Sequence, residues 1–131
     1  MEATERGSRG SLAPFVVFAV LGVPAMFVVW TWYGLSFFEE MTEQPKALAA
    51  GTTMEGQGML FGLPPLIVAH VVGLLVLGGF ARRAARPGRR AMVWAVIAVA
   101  AASVAGILLA QLVWEGRLFE MGANSPPPYV P

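Results

Sequence analysis

Three long apolar runs, separated by short polar segments, dominate the chain. They cover residues 12–34, 58–80 and 91–114, and none of them contains Asp, Glu, Lys or Arg. A helix needs about 20 apolar residues to cross the hydrocarbon core of a bilayer, so each run predicts one transmembrane helix. The pattern therefore indicates an all-α integral membrane protein, with three spans in a single domain over residues 1–131.

The remaining residues form two tails and two loops: 1–11 and 115–131, and 35–57 and 81–90. In the first loop, Leu35, Phe38 and Met41 recur at helical spacing among acidic residues. We therefore expect a short amphipathic interfacial helix after the first span, lying on the membrane surface or on a partner, which Pro45 ends or bends. The proline-rich end of the second tail predicts an extended docking strap or an unstructured end.

Basic residues concentrate on one side of the predicted bundle. With three spans, that side holds two arginines of the first tail and five of the second loop: Arg6, Arg9, Arg82, Arg83, Arg86, Arg89 and Arg90. The other side carries six glutamates against one Lys and one Arg. Basic residues in short loops mark the cytoplasmic face. This predicts a cytoplasmic N-terminus, an extracytoplasmic C-terminus and a multi-pass plasma-membrane location. The arginines either fix topology alone or also bind anionic lipid headgroups.

Aromatic residues lie at the predicted ends of the spans. Trp30, Trp32 and Tyr33 fall at the end of the first span, Trp114 at the end of the third, and Trp94 near its start. Such rings favour the headgroup level, where one edge is apolar and the polar atom stays hydrated. We expect them to anchor the spans at the two membrane surfaces.

Composition narrows the possible functions. Apolar residues make up 56% of the chain and charged residues 13%, well below the roughly 25% charge of a soluble domain. The net charge of +1 gives no reason to expect a nucleic-acid partner. The chain has no Cys and no Asp, and no carboxylate within a span, so we expect no enzyme and no metal site. The Ala-, Val-, Gly- and Arg-rich composition favours a bacterial source.

His70 lies near the middle of the second predicted span. An ionisable group near the membrane midplane is a candidate functional residue, and three interpretations remain open. A neutral His70 could pack against another helix through a hydrogen bond. It could line a polar path or relay a proton, or it could ligate a haem or pigment as an axial ligand. Ser103 and the Val20 carbonyl freed by Pro24 lie at similar depth and could supply its partners.

Other candidate contacts concern packing between helices. Small residues recur every four positions in the third span and in part of the second, namely Ala98, Ala102, Gly106 and Ala110, and Ala69 and Gly73. Such stripes let helices approach closely. Thr31 and Gln111 lie at similar depth, so they could pair between the first and third spans. Pro64 and Pro65 either kink the second span or mark its true start.

Three functions are consistent with these features. The first is a non-catalytic accessory subunit of a larger membrane complex, for example a respiratory-type one, with lipids and other membrane subunits as partners. The second is a small homo-oligomeric transporter or channel with His70 at the midplane. The third is a haem- or pigment-binding subunit that uses His70. A membrane-permeabilising protein of the phage type would also have three spans, but no residue points to it.

Overall fold

The computed structural model describes residues 10–84 and 87–120, and every regular element in these ranges is an α-helix. The three helices are α1 (Ala13–Ala49), α2 (Gln57–Arg83) and α3 (Gly88–Val113). Each is long and apolar enough to cross a membrane, with mean hydropathies of 2.2, 2.3 and 2.4 over its most apolar window. The prediction of an all-helical chain with three candidate spans is thus confirmed, and it fits a multi-pass membrane protein.

The helices run up, down and up, and each packs against the other two. One end of the bundle, here called the arginine end, carries Arg82, Arg83, Arg89 and Arg90. The opposite end, here called the glutamate end, carries Glu39, Glu40, Glu43, Glu55, Glu115 and Glu120. This separation of charge follows directly from the direction of the helices.

Small side chains make up much of the bundle interior. Along α3 the buried positions are mainly alanine and glycine, and they pack on larger residues of the other helices: Ala91, Ala95, Val99, Ala102, Ser103, Gly106 and Ala110. Met26 of α1 and Leu77 of α2 complete the central core. Large apolar residues face outward instead, with Leu75 71% and Leu112 77% exposed. An apolar exterior around a core of small residues is typical of helices that pack in lipid.

Two glycines allow close contacts that no larger residue would permit. A Cβ at Gly106 would lie 2.7 Å from the backbone carbonyl carbon of Met26. A Cβ at Gly34 would overlap the indole of Trp114 and the side chain of Leu118. Both contacts join α1 to α3 or to the segment that follows α3, so these glycines set the distance between the first and third spans.

The first helix is longer than the sequence predicts. Residues 35–49 are helical, as expected, but they continue α1 without a break instead of forming a separate helix. They also pack on their own chain, because Phe37 contacts Gly58 and the Glu40 carboxylate accepts hydrogen bonds from the start of α2. The sequence pattern identified the helical periodicity but gave no signal that the segment would pack against α2.

Pro45 does not end α1. The helix continues to Ala49 and stops where Gly51 adopts a φ of 76°. The amide of Thr52 donates to the carbonyl of Ala47 at 2.8 Å, and Gly51 donates to Leu48 at 3.0 Å. This is the Schellman pattern, in which a residue with positive φ closes the last turn. The glycine therefore determines the end of the helix.

Prolines also lie inside α2. This helix begins at Gln57, so Pro64 and Pro65 do not mark its start. Pro65 has no amide hydrogen to donate to the carbonyl of Phe61, four residues earlier. The indole Nε1 of Trp32 donates to that carbonyl at 2.9 Å. A side chain of α1 thus compensates for a hydrogen bond that α2 cannot make.

The chain turns back after α3. Glu115 has a φ of 52°, and the Gly116 amide donates to the carbonyl of Gln111 at 2.8 Å. Leu118 then packs into the glutamate end and is 1% exposed. The proline-rich tail, for which we expected an extended strap or an unstructured end, begins beyond residue 120, outside the described residues.

Candidate functional site

Hydrogen bonds to the hydroxyl of Ser103 link all three helices and include His70. The indole Nε1 of Trp30 in α1 donates to the Ser103 hydroxyl of α3 at 3.0 Å. His70 Nε2 in α2 lies 2.9 Å from the same hydroxyl, and His70 Nδ1 lies 2.8 Å from the carbonyl of Leu66. The predicted pairing of His70 with Ser103 is confirmed. We call Trp30, Ser103 and His70 the polar triplet.

The partners define which nitrogen of His70 carries the proton. A carbonyl oxygen only accepts hydrogen bonds, so Nδ1 must donate to Leu66. In a neutral imidazole Nε2 is then an acceptor, and the Ser103 hydroxyl donates to it while accepting from Trp30. Every polar hydrogen of the triplet has an acceptor in this arrangement. A neutral His70 with its proton on Nδ1 therefore satisfies all three side chains without a charge.

The positions of these residues depend on close helix packing. Ser103 is 7% exposed, and its neighbour Ala102 belongs to the central core. The ring of Trp30 meets the ring of His70 edge to face, with centroids 6.5 Å apart. Trp30 was expected to anchor α1 at the membrane surface, but it points into the bundle instead. Sequence reasoning missed it as a Ser103 partner because an indole at a span end is usually assigned to the headgroup level.

His70 is poorly arranged to ligate a haem or pigment. A neutral imidazole binds a metal through a nitrogen lone pair. The Nε2 lone pair is directed at the Ser103 hydroxyl, and Nδ1 carries the proton that Leu66 accepts. Ligation would require the polar triplet to come apart and would leave the Ser103 and Trp30 groups to find other partners. The side-chain geometry is that of a link between helices.

A second set of polar contacts joins α1 to the start of α2. The two carboxylate oxygens of Glu40 accept from the backbone amides of Gly58 at 2.5 Å and Gly56 at 3.3 Å. The first amides of a helix lack partners within that helix, and they favour a negative charge beside them. Glu40 therefore caps α2 from a neighbouring helix, where Gly56 offers no side-chain cap.

Gln44 lies one turn after Glu40 and binds the connector between α1 and α2. Its Oε1 accepts from the Met54 amide at 2.5 Å, and its Nε2 donates to the Thr53 hydroxyl at 3.0 Å. Together with the Schellman turn, these bonds fix the connector along the end of α1. We call residues 41–56 the hairpin head.

A groove of about 240 Å³ lies beneath the hairpin head. Its lining includes the apolar side chains of Trp32, Leu35 and Phe61 and the carboxylates of Glu39 and Glu40. The Glu40 carboxylate already accepts hydrogen bonds from the start of α2, and the Trp32 N–H already donates to the Phe61 carbonyl. The carboxylate of Glu39 and the side chain of Gln57 remain as polar groups in the lining.

The expected pair between Thr31 and Gln111 is wrong. Gln111 Oε1 instead accepts from the amide of Leu118 at 3.1 Å, which fixes the turn after α3. Among residues 10–84 and 87–120, Thr31 Oγ1 and Trp114 Nε1 are the buried side-chain atoms without a hydrogen-bond partner. The similar depth of Thr31 and Gln111 was correct, but depth alone does not determine which side of a helix a residue faces.

The predicted packing residues lie at different depths in the bundle. Ala102, Gly106 and Ala110 are buried, whereas Ala98 is half-buried at the edge of the central core. On α2, Ala69 and Gly73 are also half-buried. The buried seam of α3 extends further toward the arginine end than predicted, through Val99, Ala95 and Ala91.

The predicted arginines divide into two exposed pairs. Arg82 and Arg83 end α2, and Arg89 and Arg90 begin α3. Arg86 lies outside the described residues. The guanidinium of Arg83 sits 6.0 Å from the centre of the Phe80 ring, a distance at which a cation is attracted to the ring face.

The architecture defines a class but no family. The described chain is a three-helix bundle of the kind that spans membranes, and no group of three or more His, Cys, Asp or Glu residues in that part could hold a metal ion. Comparisons with protein-family models, curated proteins and solved structures found no match.

Proposed function

We propose that the chain is a non-catalytic accessory subunit of a larger membrane-protein complex. The observation that carries this proposal is the hairpin head. Glu40 lies level with the start of α2, so residues 41–49 of α1 extend past it by about 13 Å at 1.5 Å per residue. A helix that continues beyond its neighbours presents a surface that the helices of the described ranges do not cover.

The hairpin head is ordered by specific contacts. Gln44 binds both Thr53 and Met54, and the Schellman turn closes at Gly51. Ordering a chain segment costs about 1–2 kcal/mol per residue in backbone entropy. A surface that is already ordered binds a partner at lower entropic cost. This supports a docking role for the head.

The chemistry of the head indicates the kind of partner. Leu48 is 60% exposed near the end of α1. The carboxylates of Glu43 and Glu55 are on the surface, and Lys46 supplies one neighbouring positive charge at 2.8 Å from Glu43. A partner subunit with basic residues around an apolar recess would complement this surface. A respiratory-type, energy-transducing complex is the assembly that we would examine first.

The alternatives in which His70 is the functional residue receive less support. A cofactor-binding subunit requires a free nitrogen lone pair on His70, and a proton relay requires a partner on each side of the imidazole that can pass a proton on. The backbone carbonyl of Leu66 beside Nδ1 is not such a partner. Both nitrogens of His70 have hydrogen-bond partners within the chain. The orientation that we propose, with the arginine end cytoplasmic, places the hairpin head and its partner on the extracytoplasmic side.

Mild-detergent isolation of the tagged chain, followed by mass spectrometry, tests the proposal. We expect larger membrane subunits in fixed stoichiometry. The double variant Glu43→Lys/Glu55→Lys should lose them, because it reverses the charge of the hairpin head. Glu115→Lys/Glu120→Lys is the matched control, since it makes the same charge change at the same end but outside the head. Recovery of the chain alone as a defined oligomer would contradict the proposal and favour transport or a bound cofactor.

A further inference from the structure

An apolar groove of about 320 Å³ lies on the opposite half of the bundle from the hairpin head. Its walls come from α1 and α2, including Phe18, Ala25, Val72 and Val76. Residues of α3 reach its floor, because α1 and α2 present small residues there. A Cβ at Gly22 would lie 3.4 Å from the Cβ of Ala102. The groove is therefore narrow, apolar and open toward the exterior of the bundle.

Stacked aromatic side chains lie between the groove and the arginine end. Phe18 lines the groove and also stacks on Phe80, with ring centroids 5.0 Å apart. The guanidinium of Arg83 sits over that same Phe80 ring at 6.0 Å. Arg82 precedes it, and both arginines are exposed. Apolar side chains thus extend from the groove to the positive charge of Arg83, which sits over an aromatic ring, and Arg82 adds a second exposed charge next to it in the chain.

The dimensions match one leaflet of a bilayer. From Arg83 to Ala69, at the far end of the groove, α2 rises about 21 Å at 1.5 Å per residue. Half of a bilayer, including its headgroups, is about 20–22 Å thick. A molecule with its charge at Arg83 and an extended chain in the groove would therefore reach the midplane of the membrane.

We propose that this groove binds one anionic phospholipid, with its phosphate on Arg82 and Arg83 and an acyl chain between α1 and α2. Opposite charge selects the headgroup, and the apolar walls hold the chain. The site does not depend on the accessory-subunit proposal, because it uses the other half of the bundle. It also holds for either orientation in the membrane.

The test uses nanodiscs with equal amounts of phosphatidylglycerol and phosphatidylcholine, from which the chain is extracted and its retained lipids are counted by native mass spectrometry. We expect phosphatidylglycerol to be enriched. Arg82→Gln/Arg83→Gln should lower that enrichment by about fivefold or more, because the phosphate then loses the positive charges that attract it. Arg89→Gln/Arg90→Gln removes the same charge from α3 and should have little effect. If both double variants lost the same enrichment of phosphatidylglycerol, the lipid would be attracted by the overall charge of the arginine end, and the proposed site would be overturned.

The groove itself is tested by filling it. Ala25→Phe and Val72→Phe each add bulk at an exposed wall position, so both should reduce lipid retention while the helical circular dichroism stays unchanged. Leu75→Phe, on an exposed part of α2 outside the groove lining, is the control. Retention unchanged in both groove variants would overturn the acyl-chain placement. If the groove variants instead lost an oligomer of the chain and kept their lipids, a helix of a second copy would occupy the groove.

Discussion

The polar triplet and the Glu40–Gln44 region hold the same three-helix bundle together in different ways. In the triplet, one hydroxyl joins side chains that are 73 and 33 positions away in the chain. In the Glu40–Gln44 region, side chains bind backbone amides only 10 to 18 positions away. The first arrangement depends on how whole helices pack, and the second mainly on how one hairpin closes.

The surroundings of the two regions also differ. In the polar triplet Ser103 is buried, and Trp30 and His70 are half-buried among the apolar residues of the candidate spans, so we expect no water there to replace a lost partner. The Glu40–Gln44 contacts are partly exposed at the end of the bundle, where water can bind a freed amide. We therefore expect substitutions in the middle of the bundle to cost more free energy of unfolding than comparable substitutions at the glutamate end.

The largest effect is expected for Gly106→Ala. The new Cβ would lie 2.7 Å from the backbone of Met26, and backbone atoms cannot rotate away as a side chain can. Forcing α1 and α3 apart should lower the free energy of unfolding by about 3 kcal/mol, measured by SDS titration from mild detergent. Gly79→Ala is the control, because its Cβ would meet no atom within 4 Å. Equal effects of the two substitutions would show that glycine flexibility, and not helix contact, dominates.

The second prediction concerns Ser103→Ala. This substitution leaves His70 Nε2 and Trp30 Nε1 without their shared partner, and we expect a loss of about 1–2 kcal/mol in the same titration. Ser36→Ala is the matched control. The Ser36 hydroxyl bonds to the Trp32 carbonyl of its own helix at 3.0 Å, a contact that adds little stability.

A double-mutant cycle sharpens this second prediction. If Ser103 and His70 act through their hydrogen bond, combining Ser103→Ala with His70→Ala should cost less than the sum of the two single losses. Strict additivity of the two losses would argue against the polar triplet as a unit.

The third prediction tests the cap on α2. Glu40→Gln removes the negative charge beside the first amides of the helix, so we expect a loss of about 1 kcal/mol. Glu43→Gln should change stability by no more than about 0.5 kcal/mol, since its ion pair with Lys46 is exposed. If Glu40→Gln lowered the free energy of unfolding more than Ser103→Ala does, the order proposed for the two regions would be reversed.

The smallest effect is expected for Trp32→Phe. It removes the donor to the Phe61 carbonyl at a partly hydrated position, which should cost about 0.5 kcal/mol. In a Pro65→Ala background, the new Ala amide can donate to Phe61 within α2. The cost of Trp32→Phe should then disappear, and persistence of the full cost would show that packing of the indole is responsible.

Local properties of the sequence determined the three spans. Runs without charged residues and long enough for a bilayer are set by composition alone, so α2 and α3 begin and end within about three residues of their predicted limits. The similar depth of His70 and Ser103 in the bundle could also be predicted from the sequence, because the rise of a helix per residue is fixed.

Tertiary structure decided which residues meet at a given depth. Ser103 meets His70 as expected, but its second partner is Trp30. At the glutamate end Gln111 binds the Leu118 amide instead of pairing with Thr31. These outcomes depend on how each helix is rotated about its axis. That rotation results from contacts all along the bundle, such as the close approach of Gly106 to Met26, and no local pattern reports it.

The end of the first helix also depends partly on local sequence and partly on tertiary structure. The apolar run predicted where α1 crosses the membrane, and the spacing of Leu35, Phe38 and Met41 predicted helix beyond it. Only the folded chain joined the two into one helix that passes through Pro45 and ends at Ala49. The physical reason is that Glu40 and Gln44 gain hydrogen bonds to the start of α2 and its connector only when this helix continues. Periodicity and hydropathy are local properties of the sequence, whereas these bonds form only when α1 and α2 pack side by side.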